Sequence, residues 1–234
     1  MAGKKVQSLE SEVRSRYLRR TLLPFMKRAL IFDLDNTIYP VSAIADNLFK
    51  QLFALIDEKA VHLSAETIEA AKEDLKRRHY HLVAEKFGFG TALTDEGDSL
   101  LKEMTYDLPM QPFEDYAHLK KLPQDKFLVT MGFTKLQWSK VEQLGIKDDF
   151  KEIHIVDPGL SNQTKKDVFV DIMARHEYKK EEVLVIGDDP ESEIKAAIEL
   201  GIDTFLFDPH DKHLTVEVTH RSGSLKEVMA ILQS

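Results

Sequence analysis

Two acids, Asp33 and Asp35, stand one residue apart directly after the apolar run Ala29–Phe32. In extended backbone, residues two apart point to the same side, so both carboxyl groups face one direction. Carboxylates this close repel one another, and burial costs each of them free energy unless a cation or a shared proton compensates. The pair therefore predicts a metal site, an acid–base pair, or both.

Other polar groups end later apolar runs. Thr130 and Met131 close one run, where a hydroxyl and a following backbone amide can hold an anion. Lys165 and Lys166 begin a predicted helix, where a cation opposes the helix dipole, so a lysine there is a candidate for binding an anionic ligand. Asp188 directly follows a fourth run and is a candidate metal ligand.

Each of these signals also has an ordinary explanation, such as a strand-ending threonine or two surface lysines. Asp189 is better explained as a helix cap, and Glu193 is equally well explained as an exposed helix acid, so neither is assigned to the metal. The order of the groups along the chain is more specific: an acid pair, a hydroxyl, a lysine and another acid. Carboxylates favour Mg²⁺, whereas the lysine and hydroxyl favour phosphate, so the set predicts a phosphoryl-transfer site. The sequence contains no P-loop motif.

Short apolar runs, rich in β-branched and aromatic residues, alternate with helical patterns along the chain. The runs are 29–32, 127–131, 153–156, 183–186 and 204–207. This alternation predicts an α/β fold, with a parallel sheet and helices on both of its faces. In such a sheet the carboxyl ends of the strands share one edge, which is where ligands bind.

Helix boundaries are marked by familiar signals. Thr164 and Asp167 form a capping box that predicts a helix over 165–176. Asp189, followed by proline, predicts the N-cap of another helix. Gly145 and Gly201 stand where helices are expected to end.

One interval is too long for a simple strand–helix–strand unit. Asp33 and Thr130 are separated by 97 positions, whereas such a unit needs only about 30 residues. The surplus predicts an all-helical cap over 41–108, inserted into a core formed by 29–40 and 109–234.

Three cap helices are expected, around 48–56, from Ser64 to Val83, and around 100–104. Aromatic and polar residues in or near the cap are candidates for substrate contact, or else pack its interior. These candidates are Tyr39, His79, Tyr80, His81, Phe87 and Phe89.

Composition restricts the class of protein. The 234 residues are 43% hydrophobic, contain no cysteine and carry a net charge of −8. Thiol catalysis and disulfides are therefore excluded, and binding to nucleic-acid polymers is disfavoured. No apolar run is long enough for a membrane span. Residues 1–28 form a basic N-terminal extension of net charge +6, interpreted as an exposed arm rather than a targeting helix. We expect a cytoplasmic protein; its oligomeric state is not indicated.

The motifs together resemble the haloacid dehalogenase superfamily. The matching stretches are FDLDNT at 32–37, VTMGF at 129–133, the lysine at 165 or 166, and VIGDDPESE at 185–193. The resemblance is to the phosphatase branch whose helical cap follows the first strand. The longer run FDLDNTIYP is also similar to pyrimidine 5′-nucleotidase-like relatives. A Rossmann-like core is therefore implied.

The resemblance implies a role for each matching residue. Asp33 is the nucleophile that forms an aspartyl-phosphate, and Asp35 is the general acid and base. Lys165, favoured over Lys166 by its spacing to a following aromatic residue, holds Asp33 and the phosphoryl group.

The resemblance also implies the binding groups. Mg²⁺ is held by Asp33, the Asp35 carbonyl and Asp188. Phosphoryl oxygens are bound by Thr130, by the Met131 amide and by the site lysine.

The acid at Asp35 favours phosphate esters over halides, because a departing halide needs no proton. We therefore expect a Mg²⁺-dependent phosphatase acting on a small phosphorylated metabolite, such as a nucleoside monophosphate or a sugar phosphate. A phosphomutase on the same core, or a regulatory protein without turnover, are the alternatives.

Overall fold

The computed structural model describes residues 26–233 and contains one six-stranded sheet. Its strands are β1 (Ala29–Phe32), β2 (Asp125–Met131), β3 (Glu152–Val156), β4 (Val183–Gly187), β5 (Asp203–Phe207) and β6 (His220–Ser222). Their spatial order is β3-β2-β1-β4-β5-β6, and every neighbouring pair is parallel. The predicted α/β class and Rossmann-like parallel sheet are confirmed.

The described helices fill the intervals between strands. They are α1 (Ala45–Leu48), α2 (Lys50–Lys59), α3 (Ala65–Leu75), α4 (Tyr80–Phe87), α5 (Gly90–Glu103), α6 (Tyr116–Leu119), α7 (Thr134–Leu144), α8 (Lys165–Arg175), α9 (Glu193–Leu200) and α10 (Glu227–Gln233). All of α1–α5, the cap helices, lie between β1 and β2.

Alternate residues of the strands face opposite sides of the sheet, as the strand period requires. In β1, Leu30 and Phe32 belong to one buried cluster, and Ala29 and Ile31 to the other. Helices α8 and α9 contribute to the second cluster, whereas α6, α7 and α10 contribute to the first. The predicted packing of helices on both faces is confirmed, and it fixes the strand ends relative to one another.

The first cluster continues from the sheet into the cap helices, through Leu52, Ile56, Val83 and Leu101. This apolar contact holds the helical insertion over the carboxyl edge of the sheet. The division of the chain at residues 41 and 108 stays a prediction.

The prediction of one helix from Ser64 to Val83 is wrong. Ser64 caps α3 as expected, accepting a hydrogen bond from the Thr67 N–H, but the helix ends at Leu75 and α4 begins at Tyr80. Positions 76–79 carry only basic side chains and histidine, so the apolar stripe that would hold a continuous helix is interrupted. The break places this segment beside the cavity at the carboxyl edge of the sheet.

The structure confirms most of the predicted helix ends. Thr164 and Asp167 form the capping box of α8, and Gly145 and Gly201 adopt the left-handed conformation that ends α7 and α9. The predicted N-cap at Asp189 is wrong, because α9 begins at Glu193, three residues after Pro190. The Asp189 carboxylate instead accepts the Glu191 N–H at 2.8 Å and closes a turn.

Strand β6 was not predicted. Its three residues, His220, Arg221 and Ser222, are polar and half-buried, and they pair only with β5 at the edge of the sheet. A polar edge strand has no apolar run to reveal it.

Among residues 26–233, no helix is both long enough and apolar enough to cross a membrane. Most of the basic extension predicted over 1–28 lies outside the described residues. The cytoplasmic location stays a prediction.

Candidate active site

The carboxyl ends of β1, β2 and β4 and the start of α8 enclose one cavity of about 320 Å³. Each of the site residues predicted from the sequence lines it: Asp33, Asp35, Thr130, Met131, Lys165 and Asp188. The parallel sheet brings them together although they are spread over 156 residues of chain, from 33 to 188.

Lys165 lies at the floor of this cavity. Its Nζ atom donates to Asp33 Oδ1 and to Glu193 Oε2, at 2.7 Å in each case, and all three residues are buried. Burial alone would lower the pKa of Lys165, but the two carboxylates outweigh it and raise the pKa, so the ammonium stays charged. Lys166 points elsewhere and pairs with Glu199 at 2.8 Å on the surface. Of the two lysines, only Lys165 reaches the site.

The acidic side chains around Lys165 outnumber the positive charges beside them. Burial, together with Glu193 and Asp35, raises the pKa of Asp33 to about 7 although Lys165 opposes the shift. Burial and the neighbouring acids Glu193 and Asp33 raise the pKa of Asp188 well above its usual value. Like charges held this close, away from water, favour any bound cation.

Asp33, Asp188 and Glu193 each offer an oxygen, and these three atoms lie within 4.8 Å of one another. Both carboxylate oxygens of Glu193 already accept hydrogen bonds, Oε2 from Lys165 Nζ and Oε1 from the Asp189 N–H at 2.8 Å. Asp188 has only one long contact in the described chain, from the Thr37 hydroxyl at 3.4 Å. A carboxylate oxygen set of this kind fits Mg²⁺, with Asp33 and Asp188 the freer donors.

Gly187 explains how Glu193 enters this cluster. A Cβ atom at Gly187 would lie 2.1 Å from Glu193 Oε1, which is too close for any side chain. Glycine at the last position of β4 therefore lets the Glu193 carboxylate pass beneath the strand end and reach Lys165.

Asp35 has different surroundings. Its Oδ1 atom accepts a hydrogen bond from Lys140 Nζ at 2.8 Å and another from the Tyr39 hydroxyl. Its Oδ2 atom accepts one from Gln137 Nε2 at 2.9 Å. Burial raises the pKa of Asp35, but Lys140 and the hydrogen bonds outweigh burial and hold the pKa below its usual value. The two acids that the sequence paired are thus shifted in opposite directions.

Gln137 and Lys140 were missed in the sequence, although a signal was present. Positions 137, 140, 141 and 144 follow the spacing of a buried helical stripe, yet the first two are polar. In α7 Gln137 is 2% exposed and Lys140 is 5% exposed. Tyr39, a candidate for substrate contact by its sequence position, is buried and bonded to Asp35 instead.

One segment on the cap side of the cavity is basic. This segment, between α3 and α4, lines the cavity with Lys76, Arg77, Arg78 and His79, followed by Tyr80 and His81. Burial, followed by the Lys165 ammonium, lowers the pKa of His79 to about 4, so this imidazole is neutral near pH 7. The other two aromatic candidates, Phe87 and Phe89, are absent from the lining.

Known proteins are similar to this chain in sequence and in fold over most of their length. The chain is 25% identical over 228 residues to a ribulose-1,5-bisphosphate 5-phosphatase from Halopiger xanaduensis, covering 86% of this chain and 93% of that protein. It is 23% identical over 227 residues to the pyrimidine 5′-nucleotidase PynA from Streptococcus pneumoniae, covering 87% and 94%. Among solved structures, YfnB from Bacillus subtilis, determined with magnesium bound, has the same fold, with a TM-score of 0.60 at 21% identity. That alignment covers 89% of this chain and 99% of YfnB.

The family itself is shown by a sequence model that spans most of the chain. The model of the haloacid dehalogenase-like hydrolases matches residues 27–201, which include every strand end that lines the cavity. This chain is therefore a member of the haloacid dehalogenase-like hydrolase family.

Proposed function

We propose that this hydrolase is a Mg²⁺-dependent phosphatase that cleaves a small phosphomonoester through an aspartyl-phosphate. One observation carries the proposal. A buried carboxylate held by a lysine (Asp33–Lys165), a second acid two residues on (Asp35) and a strand-end hydroxyl (Thr130) all face one cavity. The set supplies a nucleophile, a proton-transfer group and an anion-binding pair.

In the first step, Asp33 attacks phosphorus and the bond from phosphorus to the alcohol oxygen breaks. Asp35 gives its proton to the departing alcohol. The contacts of Asp35 favour its ionised form in the free enzyme. The anionic substrate must therefore raise the pKa of Asp35 by like-charge repulsion as it enters.

In the second step, Asp35 accepts a proton from water, and this water attacks the aspartyl-phosphate. The acyl–phosphate linkage is hydrolysed, which releases inorganic phosphate and regenerates the Asp33 carboxylate. The neighbours of Asp35 hold its pKa low, which is compatible with this role, because ionised Asp35 is the base required at the start of the step.

Thr130, the Met131 amide and Lys165 would bind the phosphoryl oxygens. Asp33, Asp188 and the Asp35 carbonyl would hold Mg²⁺, which when bound neutralises charge between the anionic nucleophile and the anionic substrate. The donor set that the cluster of Asp33, Asp188 and Glu193 provides supports this assignment.

The substrate is proposed to be a small phosphorylated metabolite. A cavity of about 320 Å³ lies at the lower end of the range for small-molecule sites. Arg77 and Arg78 on the cap side suit an anionic ligand. The relatives named for a sugar bisphosphate and for pyrimidine nucleotides support a sugar phosphate or a nucleoside monophosphate.

The test is phosphate release from sugar phosphates, nucleoside monophosphates and an aryl phosphate, with Mg²⁺ and with a chelator. Asp33→Asn is compared with Asp148→Asn, which changes an exposed acid outside the cavity. We expect Mg²⁺-dependent release that Asp33→Asn abolishes and Asp148→Asn retains. Release that persists in Asp33→Asn would contradict the proposal.

The same experiment separates the alternatives. A phosphomutase would transfer phosphate between positions of its substrate with little release, so product analysis would reveal isomers. A regulatory protein would bind a phosphorylated ligand and show neither release nor transfer.

A further inference from the structure

Three buried side chains surround the carboxyl group of Asp35, and the proposed mechanism does not use them. Tyr39 is 1% exposed, Gln137 is 2% exposed and Lys140 is 5% exposed. Gln137 and Lys140 lie three residues apart on one face of α7, and Tyr39 comes from the segment after β1. Together they donate to both oxygens of Asp35.

Gln137 also contacts the tip of β2. Its Nε2 atom lies 2.9 Å from Asp35 Oδ2, 2.6 Å from Thr130 Oγ1 and 3.2 Å from the Met131 carbonyl oxygen. A carboxylate and a carbonyl only accept hydrogen bonds, so the amide must present its NH₂ group here. Because the Thr130 hydroxyl accepts from Gln137, its own proton is free to be donated into the cavity.

Packing alone does not explain these polar groups. Gln137 and Lys140 occupy a stripe that Val141 and Leu144 continue as apolar core, where a leucine would avoid the cost of burying an amide or an ammonium. Gly132 is fitted to the same amide, since a Cβ atom there would lie 3.1 Å from Gln137 Cδ and the backbone φ is +149°. The strand tip is thus shaped to close over the side chain of Gln137.

We propose that Tyr39 and Gln137 are positioning residues which, with Lys140, fix the Asp35 carboxyl group relative to the phosphate-binding Thr130. Gln137 also turns the Thr130 hydroxyl proton towards the phosphoryl group. This inference rests on the proposed phosphatase function, in which Asp35 transfers the proton and Thr130 binds the phosphate.

The test compares two esters that differ in their need for a proton. An alkyl phosphate releases an alcohol that must be protonated, whereas 2,4-dinitrophenyl phosphate releases a stable phenolate that needs no proton. The measured quantity is the ratio of kcat/KM for the alkyl ester to kcat/KM for the dinitrophenyl ester. This ratio reports on Asp35, because kcat/KM covers only the steps up to departure of the leaving group. A general loosening of the fold lowers both values and leaves the ratio unchanged.

Two variants remove hydrogen bonds without changing charge. In Tyr39→Phe, which loses only the bond to Asp35, kcat/KM for the alkyl ester should fall about 10-fold and that for the dinitrophenyl ester should stay unchanged. In Gln137→Met, the alkyl ester should lose about 10²-fold. The kcat/KM for the dinitrophenyl ester should fall less, because only phosphate binding by Thr130 is weakened for this ester. Inorganic phosphate should therefore also inhibit the variant more weakly.

Gln143→Met is the matched control, because it makes the same substitution on the same helix away from the cavity. We expect it to keep the wild-type ratio. Thermal unfolding confirms that each variant folds, and Tyr39→Phe decides alone if Gln137→Met does not fold. An unchanged or increased ratio in an active, folded Tyr39→Phe would overturn the positioning role. A wild-type enzyme inactive on both esters would overturn the proposed function itself.

Discussion

The acidic residues at the two edges of the sheet differ in how many basic partners they have. At the amino edge, four acids at or next to the start of a strand each have a basic partner. These pairs are Lys27–Asp203, Arg28–Glu182, Lys151–Asp125 and Arg175–Glu152. At the carboxyl edge, Asp33, Asp188 and Glu193 share the single ammonium of Lys165, with direct contacts only to the first and last.

The pKa shifts express this difference. Arg175 donates to both oxygens of Glu152, and His176 and His154 add further contacts, so the pKa of Glu152 falls well below its usual value. At the other edge, burial and neighbouring acids raise the pKa of Asp33 and Asp188. The ion pairs at the amino edge therefore stabilise the fold, whereas the buried cluster of Asp33, Asp188 and Glu193 at the carboxyl edge gives up stability, as is typical of the functional site proposed there.

Asp35 departs from this division. It lies at the carboxyl edge, yet it is paired with Lys140 like an acid of the amino edge. Of the two acids in FDLDNT, one is left short of positive charge and the other is fully supplied with donors. This difference suits the roles proposed for them, Asp33 as a nucleophile beside a metal and Asp35 as a proton-transfer group that must keep its place.

Asp35→Asn should have the largest effect on turnover after Asp33→Asn. We expect kcat to fall by about 10²–10⁴-fold, because the amide cannot transfer the proton. The melting temperature should also fall, since Lys140 is left buried beside a neutral group. Steady-state kinetics and thermal unfolding measure the two losses. A variant with normal turnover would show that Asp35 belongs functionally with the structural acids of the amino edge.

Asp188→Asn should act in the opposite direction on stability. When folding raises the pKa of an acid, that acid destabilises the folded protein increasingly as the pH rises. Without divalent ions, the variant should therefore have a higher melting temperature than wild type at pH 8, and the difference should be smaller near pH 4. Saturating Mg²⁺ should raise the wild-type melting temperature by several degrees, roughly as expected for 100-fold excess over Kd. The variant should respond much less.

The control for this prediction is Asp148→Asn, whose acid is exposed and distant from the cluster. It should keep both the wild-type stability and the wild-type response to Mg²⁺. An equal response of Asp188→Asn to Mg²⁺ would show that the cation binds elsewhere.

Glu152→Gln should have the smallest effect and should affect only stability. At pH 7 we expect a loss of about 1 kcal/mol, because the site is partly exposed to solvent. A lowered pKa stabilises the fold above the unfolded value of 4.5, so the difference from wild type should shrink as the pH falls below it. Urea unfolding between pH 3 and pH 7 measures this dependence, and kcat/KM should stay unchanged.

Glu199→Gln is the matched control, since Glu199 makes one exposed ion pair with Lys166. Its effect on stability should be close to zero. If it cost as much as Glu152→Gln, the network around Glu152 would have no special weight.

Local sequence patterns were enough for much of the fold. Apolar runs identified β1 to β5, because a buried parallel strand must be apolar on both faces. The polar edge strand β6 escaped, since pairing with β5 decides it rather than local preference. The break at 76–79 was also missed, although four consecutive basic or histidine residues interrupt the apolar stripe there. The start of α9 at Glu193, rather than after Asp189, was also set by tertiary contacts, as Glu193 binds Lys165 and the Asp189 N–H.

For the site, the sequence by itself determined which chemical groups stand at the strand ends, namely Asp33, Asp35, Thr130 and Asp188, and that a lysine begins the helix at 165. Parallel topology then requires these ends to share one edge. The family resemblance favoured Lys165 over Lys166, and the tertiary structure decided that Lys165 enters the cavity. Only the tertiary structure showed that Gln137 and Lys140 reach Asp35 from α7. Those choices depend on how a helix is rotated against the sheet, which side-chain packing fixes and the order of residues alone does not express.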